Sequence, residues 1–380
     1  MKVVFRASLL ASLLACGAAP AFADLTVGVV LPLTGPAAGL GIPSKNGMLM
    51  WPESIAGEKL KVILLDDATD PTAATTSARR LISEDKVDVI VGSTATPSAL
   101  AIAAVAAEGQ TVQLASSPIE LPEGKDHWSF RLPQSTGVMA AGIVEHMKKN
   151  GVKSFAFIGY ADHYGENWLK DMTRLAAAAG IKLTTAERFA RADTTVTAQA
   201  IKAVASNPDA IVLVASGSGA AMPHLAVVER GFKGKIYQTH SAASRDLIRI
   251  GGKNVEGAFV VAGLAVMPEG LPDSHPSKKM AVDFVDKYEK LFGAGTRNQF
   301  AAHVYDATLV LTKAVPAALA KGKPGSKEFR SALRDAIENG GPLTLTQGVI
   351  HYTPKDHFGL GDNSRMMLTI HNGAWKAVAP

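Results

Sequence analysis

Short apolar runs alternate with helical stretches from Asp24 onward. Leu25 to Leu31, Leu60 to Leu65, Val87 to Val91 and Val112 to Ala115 are apolar on both faces and are predicted as buried strands. Between them, residues 71–85 and 97–108 carry apolar positions at helical spacing and begin at a proline, which suits a first helical turn. Strands apolar on both faces and separated by helices predict a parallel sheet covered by helices. The segment 31–41 at the end of the first strand is read as a glycine-bearing turn.

The pattern then restarts. Strands are predicted over 154–158, 181–186, 210–214, 235–237 and 258–261, with helices over 165–179, 195–205 and 220–230 between them. A helical region comes next over 278–292, 300–320 and 327–338, and two terminal strands are expected over 348–352 and 366–371. Two successive units of similar size imply two lobes of one architecture. The late elements are expected to complete sheets begun earlier, which makes both lobes discontinuous.

The N-terminus changes the picture of where this chain works. Lys2 and Arg6 precede the apolar run 7–15, and Ala21-Phe22-Ala23 offers small residues at the spacing signal peptidase reads. Residues 1–23 are therefore predicted to be a signal peptide, too short in its apolar part to span a bilayer. A second reading takes Leu13-Leu14-Ala15-Cys16 as a lipoprotein box with Cys16 as the anchor. Cys16 is the single cysteine, so cleavage after Ala23 leaves neither disulfide nor thiol chemistry, and buried apolar area must supply stability. Removing the two basic residues of that segment leaves 37 Lys+Arg against 34 Asp+Glu. A net charge of +3 without a dense basic cluster gives no reason to expect a nucleic-acid partner.

Catalytic and cofactor motifs do not present themselves. The 31–41 turn lacks the spacing of a dinucleotide fingerprint, and without it Asp66-Asp67 reads as a structural turn. Ser216-Gly217-Ser218-Gly219 ends a strand but is not a nucleophile elbow. The ten histidines contain no metal-ligand spacing. No metal, no cofactor and no enzymatic activity are expected.

Ligands of parallel α/β sheets lie at the carboxyl ends of strands, where loops run into helix N-termini. Those loops are small and hydroxyl-rich here. Gly92 to Ser98 succeeds a strand and opens a helix, with Thr96 expected as its cap and Pro97 as its first residue. Free N–H groups and the helix dipole at that point favour an anion. Ser116-Ser117-Pro118 ends the next strand, and Tyr160 to Tyr164, Ser216 to Gly219 and Thr239 to Ser244 occupy the corresponding places in the second half.

Over residues 24–380 the sequence resembles the type I periplasmic solute-binding proteins, in the leucine/isoleucine/valine-binding branch of ABC importers. The resemblance rests on Gly28 to Pro36, Asp66 to Pro71, Leu81-Ile82, Val89 to Gly92, Phe130-Arg131, Tyr164-Gly165 and Tyr305 to Ala307 in that order. It implies an α/β fold of two Rossmann-like lobes with parallel central sheets joined by three crossover strands. It implies lobes made of 24–133 with 265–341 and of 134–264 with 342–380, closure about the hinge, a periplasmic monomer, and a partner permease with ATPase subunits. Thr94, Ala95, Thr96, Ser116, Ser117 and Pro118 match the segments that hold a ligand carboxylate in that family. Tyr164 is kept, whereas Leu40 and Gly41 stand where the family has an aromatic, and Ser216-Gly217 lacks the neighbouring tyrosines. His240 aligns with the acid that pairs with an α-ammonium.

That last departure carries energy. A buried ammonium without an acidic partner loses a charge-assisted hydrogen bond and bears its desolvation, several kcal/mol together. Micromolar binding totals only about 8 kcal/mol. The ligand expected is a small carboxylate without an ammonium, aromatic by similarity to a subgroup of the family. A branched-chain amino acid, or a role as a periplasmic sensor subunit, is the alternative. His240 is expected either to touch the far end of the ligand or to make a structural hydrogen bond.

Overall fold

The computed structural model describes residues 24–378. The predicted signal peptide and Cys16 lie outside the described residues. Two mostly parallel sheets, each flanked by helices, are built in succession. The first holds β1 (Leu25–Leu31), β2 (Ser54–Ile55), β3 (Glu58–Asp66), β4 (Val89–Gly92), β5 (Val112–Ala115) and β6 (Ser129–Arg131) in the order β2-β3-β1-β4-β5-β6. The second holds β7 (Ser154–Tyr160), β8 (Lys182–Phe189), β9 (Ala210–Val214), β10 (Lys235–Gln238), β11 (Phe259–Gly263), β14 (Arg365–His371) and β15 (Ala374–Ala377). Its order is β15-β14-β11-β10-β9-β7-β8, with β14 and β15 running antiparallel at one edge.

This topology fixes where a ligand can go. In the first sheet the chain steps from β1 to β3 on one side and then to β4 on the other, which opens a crevice above the β1–β4 pair. The second sheet repeats the move, with β8 on one side of β7 and β9 on the other. The loops after β4, β5, β7, β9 and β10 thus converge from both sheets.

The helices match the predicted pattern for the most part. They are α2 (Pro71–Ser83), α3 (Thr96–Glu108), α5 (His163–Ala178), α6 (Thr197–Ala205), α7 (Ala221–Glu229), α9 (Lys278–Phe292), α10 (Gln299–Leu319) and α11 (Lys327–Glu338). Asp70 and Asp162 cap α2 and α5 with their side chains. Three further helices, α1 (Ala38–Met48), α4 (Thr136–Lys149) and α8 (Arg245–Gly251), are not anticipated by the pattern. In α1, three glycines and Pro43 hide the helical signal. Packing supplies what propensity lacks: a Cβ on Gly47 would sit 2.1 Å from the carbonyl oxygen of Ala301, so glycine lets α1 lie directly on α10.

β12 (Leu343–Leu345) and β13 (Gly348–Ile350) form their own two-stranded sheet. Leu345, Ile350, Tyr352 and Leu360 are buried in the core of the first sheet, beside Val304, Leu311 and Phe130. This stretch therefore packs its apolar side chains against the core of the first sheet and α10. Two changes of core fall between β6 and α4 and after β11.

Candidate functional site

Loops from both sheets wall one small cavity. The first lobe contributes Leu40, Thr94, Thr96, Ser116, Ser117 and Pro118. The second contributes Tyr164, Ser216 and His240. Nine of the twelve residues named from the sequence thus meet at one place. Gly41, Ala95 and Gly217 do not line it, for local reasons. A Cβ on Gly41 would sit 2.0 Å from the oxygen of Pro32, so this glycine lets the first turn of α1 pack against the chain leaving β1. Ala95 packs its methyl group against Ala37, Leu40 and Phe300. Gly217, with φ of +54°, faces Gly39 across the cleft, where a Cβ would lie 3.7 Å from the Cα of Gly39.

Thr96 is not the cap expected of it. Ala95 holds the cap position of α3 without a side-chain bond, and Thr96 is the first helical residue. Ser93 instead organises the turn, accepting from the Ala95 N–H at 3.1 Å and donating to Asp67 at 2.6 Å. Asp66 is the structural turn residue expected, accepting from Leu33 and Thr34.

The hydroxyls aimed at the cavity are unusual in having nothing to bond. Thr94 Oγ1, Ser116 Oγ and Ser117 Oγ are buried without a hydrogen-bond partner among the described residues. Each such group costs about 1–3 kcal/mol when desolvated and left alone, a cost that a bonded ligand would offset. They stand at the carboxyl ends of β4 and β5, next to the N-terminal turn of α3. Together these groups offer donors and a positive dipole end to an anion.

The opposite wall carries chemistry that sequence reasoning missed. Arg191 lines the cavity, with Nε on Asp162 at 2.6 Å, Nη1 on Ser216 Oγ at 3.0 Å and its plane 4.1 Å above the Tyr160 ring. Phe300 and His303 enter from α10. No strand end announces Arg191, which lies two residues past β8, and the spacing Phe300-x-x-His303 on one helix face is the only signal for the other pair. Arg191 is the one charged side chain of the wall, and no aspartate or glutamate among the described residues lines the cavity.

Burial holds the two histidines neutral. It pushes His240 down to about 3, and burial together with the neighbouring His240 pushes His303 down to about 3. Their exposures are 2% and 1%. Tyr164, also buried, is pushed up to about 12 and shares a 2.9 Å hydrogen bond with Thr239. Ser116 and Ser117 have no hydrogen-bond partner among the described residues, so neither of these serines is bonded to a base. Among the described residues no acid, histidine or cysteine cluster could hold a metal ion.

The neutral histidines set an acid limit on stability. Both titrate near 6.5 when unfolded, so the stability tied to their neutral form is whole above pH 6.5 and lost as pH falls towards 3. Asp306, which accepts from Thr346 and is pushed up to about 7 by burial, acts in the opposite direction. The stability tied to its protonated form is present below about pH 4 and lost as pH rises through about 7. Urea titrations of the ligand-free protein should therefore show stability falling from pH 6.5 to about 4. Asp306→Asn should steepen that fall, and a shallower fall would mean that Asp306 is ionised in the folded protein.

Comparison with known proteins agrees with this geometry. The sequence profile of the periplasmic binding protein family matches residues 24–364. The Leu/Ile/Val-binding protein homolog 3 of Brucella melitensis is 22% identical over 349 residues, covering 88% of this chain and 89% of that protein. An extracellular ligand-binding receptor from Rhodopseudomonas palustris is 47% identical and superposes with a TM-score of 0.92, over 94% of this chain and 99% of that one. A solute-binding protein of an ABC transporter from R. palustris, solved in complex with benzoate, shares the fold at 17% identity and a TM-score of 0.78, over 94% of this chain and 96% of that one. With its two sheets, its cavity between them and a profile match over nearly the whole described length, this chain belongs to the periplasmic binding protein family.

Proposed function

We propose that this protein is the extracytoplasmic receptor of an ABC importer and closes over a small carboxylate that bears no ammonium group, on an aromatic skeleton. One observation carries the reading: the cavity presents three unpartnered hydroxyls and an arginine, and no acidic side chain among the described residues. An anion gains hydrogen bonds from Thr94, Ser116 and Ser117 and attraction from the end of α3. An α-ammonium would enter a wall whose only charge is positive. Phe300, Tyr164 and Leu40 provide flat apolar surface for the rest of the molecule. The lack of a coupled nucleophile and base makes binding, not turnover, the activity that the site supports. No described helix is long and apolar enough to cross a membrane, and in this reading delivery falls to a separate permease with its ATPase subunits.

The names of the Brucella relatives favour a branched-chain amino acid as the second reading. A thermal-shift screen separates the two. The protein is unfolded, dialysed free of co-purified ligand and refolded, then melted with leucine, benzoate, cinnamate, phenylpropionate, aryl-pyruvates and short dicarboxylates. A ligand at a hundred times its dissociation constant adds about 2.7 kcal/mol, a shift of several degrees. An aromatic carboxylate should raise the melting temperature and leucine should not. Stabilisation by leucine with none from any of the acids would reject the proposed ligand class.

A further inference from the structure

His240 and His303 are brought together by a specific piece of backbone. The first residue of α10, Gln299, donates its side-chain amide to the carbonyl oxygen of His240 at 2.5 Å and accepts from the N–H of Gly263 at 2.8 Å. His303 lies one helical turn after Gln299 and therefore on the same face of α10. The helix start thus clamps the loop that carries one histidine and presents the other beside it. Rings pack around both: Trp168 and Tyr164 lie 5.8 Å and 6.0 Å from His240, and Phe300 lies 6.2 Å from His303. A position built with this much support is not an accident of composition.

What the pair lacks is hydrogen-bond partners. Both ring nitrogens of His303 and Nδ1 of His240 are buried without any among the described residues. A neutral imidazole has one N–H donor and one lone-pair acceptor. The pair therefore shows a visiting group at least one donor and at least one acceptor. A carboxylate only accepts, so it leaves the lone pair of His303 unmet. An ammonium only donates and would meet an N–H. A hydroxyl does both, donating to one ring and accepting from the other. The other titratable groups of the cavity wall do not alter this account: Tyr164 is bonded to Thr239, and Arg191 is paired with Asp162.

We propose that His240 and His303 are a specificity-determining pair for a hydroxyl group at the end of the ligand remote from its carboxylate, so that the receptor selects hydroxylated carboxylates. This rests on the carboxylate-receptor reading and adds the second contact point. A hydroxyl at this place fills donor and acceptor together, whereas a ligand without it leaves the pair as unsatisfied as before. Sites built to bond a ligand hydroxyl reject the analogue that lacks it far more strongly than apolar pockets reject a missing methylene.

The test is titration calorimetry with three probes of one skeleton: phenylpropionate, its para-hydroxy form and its para-carboxy form. In the native protein the para-hydroxy form should bind at least about ten-fold more tightly than phenylpropionate, with the para-carboxy form weakest. In His303→Phe and in His240→Phe the ratio of the first two should collapse to about two-fold or less. If either Phe variant fails to fold, the labelled imidazole nitrogens of the native protein are followed by NMR instead. Both rings should then respond to the para-hydroxy form and much less to phenylpropionate. Equal affinities of those two probes in the native protein would overturn the pair while leaving the receptor for carboxylates intact. A preference that survives both substitutions, or rings that do not respond, would also overturn it. Binding of leucine with none of the three acids would overturn the pair and the receptor reading together.

Discussion

Replacing Thr94 with Val, and Ser116 and Ser117 with Ala, should make the ligand-free protein more stable and its carboxylate binding roughly a thousand-fold weaker or worse. The two effects have one cause. Each of these hydroxyls is buried and unpartnered in the described structure, so the folded protein carries its desolvation cost without a compensating bond. Deleting the oxygen removes that cost, and the near-isosteric Val keeps the packing at position 94. With an anion present the same oxygens make charge-assisted bonds worth about 1.5–3 kcal/mol each, and their loss falls on affinity alone. Melting without ligand and calorimetry with the best carboxylate of the screen give the two readouts. Lower stability and unchanged affinity in the triple variant would show that these hydroxyls serve the fold. Opposite signs for stability and binding are the mark of a site held ready at the expense of the rest of the molecule.

Trp168→Ala should cost about 3–5 kcal/mol and should degrade the site as well. Trp168 is fully buried on α5, among the largest side chains of the second core. Its ring lies 6.3 Å from Tyr164, edge to face, and 5.8 Å from His240. Removing it leaves a cavity directly behind a residue of the binding wall, and the imidazole gains room to turn away. Urea unfolding monitored by tryptophan fluorescence and by circular dichroism should show the second lobe melting earlier than the first. Two cores in one chain make separate transitions natural, and a single midpoint would not describe them. Ligand affinity should fall even under conditions where the variant is folded. A loss below about 1 kcal/mol would mean that the core collapses around the gap.

How far the sequence anticipates this structure depends on which physical signal each element uses. Buried parallel strands are legible because each is a short continuous apolar run, and β1, β4, β5 and β9 track their runs to within about two residues. Capped amphipathic helices such as α2 and α11 are legible through their spacing and their caps. α1 is not, since it is held by close approach to α10 and its glycines are chosen for that contact. The hairpin of β12 and β13 is short, and only its burial shows which core it packs against. In the site, strand-end loops are visible because sheet topology brings them together, which is why Thr94, Ser116 and His240 can be named. Arg191 and His303 reach the cavity from a loop after an edge strand and from the far side of a helix. Long-range folding places them, and the Phe300-x-x-His303 spacing is the one local trace of it.

The near contact of Gly39 with Gly217 has a kinetic consequence. Two residues without side chains face each other across the cleft at van der Waals distance. In the proposed receptor, release of a bound molecule waits for the rims of the cleft to part. The off-rate for every ligand is then bounded by one opening frequency, and tighter ligands dwell longer only by making that opening rarer. A bulky residue at either glycine would prop the rims apart and shorten residence times for all ligands alike, with no change in which of them is preferred.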